Sequence, residues 1–383
     1  MKILLVQDRL RGGGTERQTA FLARAFATRG HTATVLTFRP GGTLAPELTA
    51  AGMAHHALQP FDTGLDWFAP GLAAAARATA PDIVLCMGRM ANCRAARLQR
   101  ALPQAAVVAT VRTGKTLPWL YRRGLRAARG IIANSEFARR TLVAPEGAAD
   151  RCAVIPNALL HAALLAEVAN TATSPCDAAP RSGTRERFAS ACCAASESSG
   201  SAQSAPPILL CVAQFRREKN QRELLDIAAR LPRELPWRLA FVGDGPTRVE
   251  CERHAASLGL VERVVFHGWQ ADPARFYRGA AIAVLTSQRE SLPNFLVESQ
   301  CAGVPVVSYE VGGAAECFHD GETGHLIPAG DRTRFAAALA ELLADPERRA
   351  AMSCAARSWA RAQFDPERQV SAHLEFFERL RSR

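Results

Sequence analysis

The feature that most constrains this chain is a repeated pair of patterns. A short, largely apolar run comes first, and a longer stretch at helical spacing follows. Ile3–Gln7, Ala33–Phe38, Asp82–Met87 and Ala106–Val111 read as buried strands. Thr15–Thr28, with Phe21, Leu22, Ala25 and Phe26 on one side, reads as a helix closed by Gly30. Gly130–Ala133 leads into Ser135, which can cap a helix start, and Val154–Asn157 ends this half. The alternation resumes with strands at Ile208–Ala213, Trp237–Val242, Val264–His267, Ala281–Leu285 and Val304–Tyr309. Helices at Gln221–Arg230, Arg248–Leu258, Pro293–Ala302 and Arg332–Leu343 separate or follow them. Strands joined by helices of this length require parallel sheets covered on both faces, so the chain is α/β with doubly wound sheets. A last helix is expected from about Ala355 to Leu380.

Between the two halves the pattern stops. Of the 37 residues from Thr171 to Pro207, 26 are Ala, Ser, Pro, Thr or Gly, too few apolar groups to offset the entropy of ordering. The expected organisation is therefore a first domain over 1–170, a flexible low-complexity linker over 171–207, a second domain over 208–354 and a terminal helix over 355–383. With 383 residues and 48% hydrophobic content, two cores are within reach. No apolar run approaches the ~20 residues of a bilayer-spanning helix, and the apolar start is too short for a secretory signal. The eleven cysteines are scattered and none has Cys-x-x-Cys spacing, which suits a reducing, cytoplasmic setting.

The net charge of +11 lies wholly in the first half. Residues 1–170 hold 21 Lys and Arg against 10 Asp and Glu, whereas 171–383 hold 26 of each. Its densest stretch runs from Arg112 through Lys115, Arg122, Arg123 and Arg126 to Arg129, interleaved with Leu117, Trp119, Leu120, Tyr121 and Leu125. That mixture suits a helix lying on an anionic membrane surface, and equally a solvated basic face. Nucleic acid is not expected as a partner, because a basic face with stacking aromatics is missing.

Three constellations can carry chemistry. Gly12-Gly13-Gly14 follows the first strand and opens a helix, where free N–H groups favour a phosphate. Arg17 stands where a dinucleotide fingerprint needs a small residue, so a nicotinamide site is not expected. Gln214-Phe-Arg216-Arg217-Glu-Lys219 follows the first strand of the second half, at the edge where open α/β sheets bind ligands. Cations there can neutralise a departing diphosphate. Third, Glu290-Ser-Leu292-Pro293-Asn294-Phe-Leu-Val-Glu298 pairs two carboxylates across a helix start. Its first N–H groups can hold a pyrophosphate, while Glu298, roughly 7.5 Å further along the axis, meets ribose hydroxyls. Glu290 then faces the group beyond the phosphates.

The ordered motifs Gly13-Gly14-x-Glu16, Glu218-Lys219-Asn220, Val242-Gly243-Asp-Gly-Pro246, Phe266-x-Gly268, Glu290-x7-Glu298 and Gly312-Gly313-x-x-Glu316 resemble the retaining glycosyltransferases of family 4 over most of the chain. The resemblance implies a GT-B fold, two Rossmann-like domains facing across a cleft. The first domain would bind the acceptor and the second the nucleotide sugar, with the terminal helix crossing back to the first. It implies that Lys219 contacts the donor diphosphate and that Glu290 faces the sugar. Leu292, Pro293 and Asn294 would lie near sugar or phosphate, Glu298 on ribose, Gly13 and Gly14 on the donor phosphates, and Gly243 beside the donor. No metal or cofactor is implied, and the sequence holds no Asp-x-Asp.

Two positions depart from the family. Gln214 stands where an Arg is frequent, with Arg216 or Arg217 left to supply the charge. The region Cys86–Asn92 lacks a frequent His. Arg89, Asn92, Arg112 and Lys115 are the candidates for the acceptor side, and His267 lies either near the base or in the core. Taken with the basic charge of the first half, the resemblance leads to the expectation of a cytoplasmic enzyme, peripheral on the inner membrane face. It would move a sugar from a nucleotide donor, expected to be UDP-linked, to a lipid-linked or anionic saccharide in lipopolysaccharide or polysaccharide synthesis. A nucleotide-sugar epimerase, a phosphorylase and a non-catalytic binding protein remain the alternatives.

Overall fold

The computed structural model describes residues 1–159, 205–270 and 272–382. By packing they form two compact units. One is built from 1–159 with Glu290–Asn294 and 364–382, the other from 205–289 with Phe295–Gln363. The linker expected over 171–207 falls, but for 205–207, outside the described residues.

The first unit holds β1 (Lys2–Gln7), β2 (Thr32–Thr37), β3 (Ala54–Ala57), β4 (Ile83–Cys86), β5 (Ala106–Val111), β6 (Gly130–Ala133) and β7 (Cys152–Val154). All are parallel, in the order β3-β2-β1-β4-β5-β6-β7, with Leu4 of β1 level with Thr34 of β2 and Val84 of β4. Its helices are α1 (Gly14–Thr28), α2 (Ala45–Ala50), α3 (Leu72–Ala78), α4 (Arg89–Ala101), α5 (Trp119–Ala127) and α6 (Glu136–Ala138). Ser135 caps α6, its Oγ accepting from the Ala138 N–H at 3.1 Å. Every residue of β4 and β5 is buried, as strands covered on both faces should be.

The second unit repeats the scheme with β8 (Ile208–Val212), β9 (Arg238–Val242), β10 (Val264–Phe266), β11 (Ile282–Leu285), β12 (Val306–Tyr309) and β13 (Gly324–Ile327), in the order β10-β9-β8-β11-β12-β13. Its helices are α7 (Gln221–Ala228), α8 (Arg248–Ser257), α9 (Ala274–Arg278), α10 (Asn294–Cys301), α11 (Arg332–Ala344) and α12 (Pro346–Phe364). One core of Leu209, Phe215, Phe241, Val284, Phe335 and Leu339 joins this sheet to its helices. The two Rossmann-like parallel sheets agree with the fold class expected from the sequence.

The terminal helix differs from expectation. Instead of one element from Ala355, there are two, α12 and α13 (Pro366–Arg381). Asp365 ends the first and caps the second, accepting from the Glu367 N–H, and Pro366 takes the first helical turn. Helix α13 belongs to the first unit. Phe377 is fully buried, edge-on to Phe26 at 5.7 Å. A Cβ on Gly130 would meet Leu380 at 2.5 Å, so the glycine at the start of β6 makes room for the helix.

Candidate functional site

In an open α/β sheet, ligands collect at the C-terminal strand ends where the strand order reverses. In the first unit that point lies between β1 and β4. Asp8, just after β1, accepts from the N–H groups of Met90 (2.9 Å) and Ala91 (2.8 Å) in the first turn of α4. A Cβ on Gly88 would stand 2.2 Å from Asp8 Oδ1, so a glycine after β4 is what admits this carboxylate. Burial pushes the Asp8 carboxyl up to about 6, against the pull of the Met90 and Ala91 N–H groups.

Asp8 opens on a cavity of about 460 Å³, also lined by Arg9, Glu16, Asp66, Arg89, Arg112 and Lys115. Three of the four residues expected on the acceptor side, Arg89, Arg112 and Lys115, therefore meet around one space. Asn92 does not join them. It is buried, its Nδ2 donating to Gly88 O (2.7 Å) and its Oδ1 accepting from Thr110 N–H (2.8 Å). It braces α4 against β5, which corrects its expected place on the acceptor side. Arg9 is held by Asp66 (3.3 Å) and Glu16 (3.9 Å). Arg112 has no carboxylate: its Nη1 donates to Asn157 Oδ1, and its buried Nε and Nη2 have no hydrogen-bond partner among the described residues. Burial lowers its pKa to about 10, an effect that Tyr121 opposes.

Glu290, Leu292, Pro293 and Asn294 pack within this first unit. A Cβ on Gly114 would lie 2.3 Å from Glu290 O, so the chain after β5 runs directly against that backbone. Ser291 Oγ donates to Asn134 Oδ1 (2.6 Å), and Asn157 Nδ2 donates to Asn294 Oδ1 (2.7 Å). Gly14 lies against the Asn294 side chain, where an added Cβ would be 2.8 Å from Nδ2. The Gly13 N–H donates to Glu16 Oε2 at 2.5 Å. One N–H group expected to serve the donor phosphates is thus occupied from within the same turn.

In the second unit the order reverses between β8 and β11. After β8 come Gln214 and Arg216, both exposed, and Lys219, half-buried in a short 3-10 turn. Gln221 Nε2 donates to Gln214 O (3.0 Å), and Phe215 N–H donates to Asp244 O (3.0 Å). Gly243, at φ +139°, would place a Cβ 2.0 Å from Ala213 O. Its first duty is therefore to let the β9 loop touch the β8 loop. Gln288 N–H donates to Glu218 O (2.8 Å) and Thr286 Oγ1 to Asn220 O (3.0 Å), tying the segment after β11 to the same edge. Glu298 on α10 accepts a hydrogen bond from the Tyr277 hydroxyl. Tyr277 is fully buried on α9 and packs against Phe295, with ring centroids 6.0 Å apart. His267 is exposed rather than a core residue, its ring 4.7 Å from Phe276.

Sequence reasoning missed Asp8, Gly114 and Tyr277. Asp8 carried one usable signal, a carboxylate directly after the first buried strand of an α/β sheet. Another reading needs correction. Two of the arginines expected to face a membrane, Arg122 and Arg126, both bond Glu146, through Nε at 2.5 Å and 2.9 Å. The Glu146 side chain is only 3% exposed, so these cations hold the unit together.

A family model described as "Glycosyltransferase Family 4" matches residues 12–159, and one described as "Glycosyl transferases group 1" matches residues 196–359. The chain belongs to the group 1, family 4 glycosyltransferases with the GT-B fold. Among curated proteins, the lipopolysaccharide core biosynthesis glycosyltransferase LpsE of Rhizobium meliloti is 32% identical over 169 residues, 44% of this chain and 49% of that protein. The Vi polysaccharide biosynthesis protein VipC/TviE of Salmonella typhi is 39% identical over 117 residues, 30% of this chain and 20% of that protein. The chain thus spans no more than about half the length of the curated relatives it matches first. A solved structure of Anabaena HepE in complex with UDP aligns with a TM-score of 0.76 and 21% identity, covering 99% of this chain and 100% of that one.

Proposed function

We propose that this chain is a retaining, metal-independent glycosyltransferase. It takes a sugar from a nucleotide donor, UDP-linked in our reading, and passes it to a lipid-linked or anionic saccharide during cell-surface glycan synthesis. The observation that carries the donor half is the edge of the second sheet. There, Lys219 and Arg216 follow β8, and Glu298, held by Tyr277, follows β11 on α10. Lys219 and Arg216 meet the diphosphate and stabilise the charge that builds as the glycosidic bond breaks. Glu298 accepts hydrogen bonds from the ribose hydroxyls. Similar structures in complex with UDP and with UDP-glucose support the choice of base.

The acceptor enters the cavity beside Asp8, among Arg89, Arg112 and Lys115. Its hydroxyl oxygen attacks the anomeric carbon on the face the diphosphate leaves, so configuration is retained. The leaving phosphate oxygen takes the hydroxyl proton, Glu290 faces the sugar, and no protein nucleophile is needed. The relatives' roles in lipopolysaccharide and Vi polysaccharide synthesis support a saccharide acceptor. The enzyme works from the cytoplasmic face of the membrane as a peripheral protein. Among the described residues, no helix is long and apolar enough to cross a bilayer.

The test is release of free nucleotide from labelled nucleotide sugars, with and without extracted lipid-linked saccharide and with excess chelator. Release that requires the acceptor, persists in chelator and yields a product with the donor's anomeric configuration is the expected result. Release without acceptor, an inverted product, or interconversion of the donor sugar alone would contradict it.

A further inference from the structure

The segment 59–68, between β3 and α3, exposes four large apolar side chains: Phe61 (69%), Leu65, Trp67 (53%) and Phe68. The loop beneath them is tightly built. Gln59 is buried, its Nε2 donating to the carbonyls of Leu65 (3.0 Å) and Phe68 (2.6 Å), while its Oε1 accepts from Thr63 Oγ1 (2.8 Å). Arg39, also buried, forks onto Asp62 at 2.6 and 2.8 Å and reaches Asp66 at 2.7 Å. Arg94 of α4 donates to Trp67 O at 3.0 Å. Two buried polar side chains thus fix a loop that turns these apolar groups outward. Clustered exposure of this kind marks an interaction surface rather than chance scatter.

The surroundings favour one class of partner. Helix α4 packs beside α5, and the two carry seven arginines and no acidic residue. Arg89, Arg97, Arg100 and Arg123 are exposed. Helix α5 begins with Trp119 (64% exposed) and Leu120. Asp66 and Pro118, the sequence neighbours of Trp67 and Trp119, both line the cavity beside Asp8. A second copy of this chain would set arginine against arginine. An anionic lipid surface satisfies both the cations and the aromatics, because tryptophan and phenylalanine settle at the headgroup boundary.

We propose that loop 59–68 is a lipid-docking wedge. Phe61, Leu65, Trp67 and Phe68 enter the headgroup boundary together with Trp119 and Leu120, and Arg97, Arg100 and Arg123, none of them bound to Glu146, lie on anionic headgroups. This places the cavity of the first unit at the bilayer surface, and it rests on the reading that the chain acts at a membrane.

The test is flotation of the full chain with phosphatidylcholine vesicles and with phosphatidylcholine–phosphatidylglycerol vesicles. Wild type is compared with a variant combining Phe61→Ser, Leu65→Ser, Trp67→Ser and Phe68→Ser. Wild type should bind the anionic vesicles, and the variant at least about tenfold more weakly. Because all four side chains are exposed, the variant's melting temperature and its thermal response to nucleotide should match wild type. Brominated lipid should quench wild-type fluorescence, and Trp67→Phe should reduce that quenching. Equal binding by wild type and variant would overturn the wedge while leaving membrane action intact. Absence of binding by wild type would overturn both. Self-association of wild type that the variant loses would also overturn it, assigning the surface to a protein contact.

Discussion

The strand order reverses once in each sheet, and the two reversal points are built from opposite materials. In the first unit, a half-buried carboxylate, Asp8, sits under the N–H groups of α4 and faces an open cavity of mixed charge. In the second, cations stand on loops knitted together by backbone contacts, with Gly243 and Gly245 pressed against the carbonyls of Ala213 and Phe215. One topology thus supplies two chemistries. The first suits a group that needs orientation within walls, and the second suits a diphosphate met by positive charge. The fold fixes where ligands can bind, and the residues after the strands decide which ones.

The glycines give the largest test of this contrast. Gly243→Ala forces a Cβ into a carbonyl at an unfavourable φ and should cost about 4 kcal/mol, read as a lowered urea midpoint with nucleotide affinity lost. Gly88→Ala meets the Asp8 carboxylate and, at 2.7 Å, the Asp8 backbone N, but at an ordinary φ, and it uncaps α4, so about 2 kcal/mol is expected, with nucleotide binding retained. Equal damage to nucleotide binding by both would break the division between the units.

Asp8 gives an effect between those of the two glycines. Its folded pKa, about 6, stands above the ordinary carboxylate value of 3.8. The folded state therefore holds this proton more tightly, so stability is highest below the unfolded value and falls as pH rises through about 6. Wild type should lose up to about 3 kcal/mol over that window relative to Asp8→Asn, whose side chain carries no charge to desolvate. Parallel stability curves for the two proteins would show that Asp8 is solvated. The smallest effect belongs to Tyr277→Phe, which removes one hydrogen bond to Glu298 and should weaken nucleotide binding several-fold, or about 1 kcal/mol. An unchanged affinity would mean that Tyr277 does not orient Glu298.

What the sequence disclosed follows the same division. Most of the strands were legible because they are short runs of largely apolar residues, as in β4. Asp8 was not, since its burial depends on Gly88 and α4, some eighty residues away. Asn92 was misread because a polar side chain near a helix start looks available, and only the depth of β5 behind it shows otherwise. The short elements α2, β3 and α3 escaped notice because they lack strong periodicity. The break before α13 was written in Asp365-Pro366 and passed over. Loop 59–68 was silent as well: its order comes from Arg39 and Gln59, which read as ordinary polar residues until the chain folds over them.

We propose that the second unit holds a nucleotide sugar through Glu298. Calorimetric titration of UDP, GDP and ADP into wild type and Glu298→Ala tests it most directly. Wild type should bind one nucleotide, UDP, saturably, and the variant should bind it about 30-fold or more weakly, near 2 kcal/mol. Equal affinity of the two proteins for that nucleotide, or no binding of any nucleotide to wild type, would contradict it.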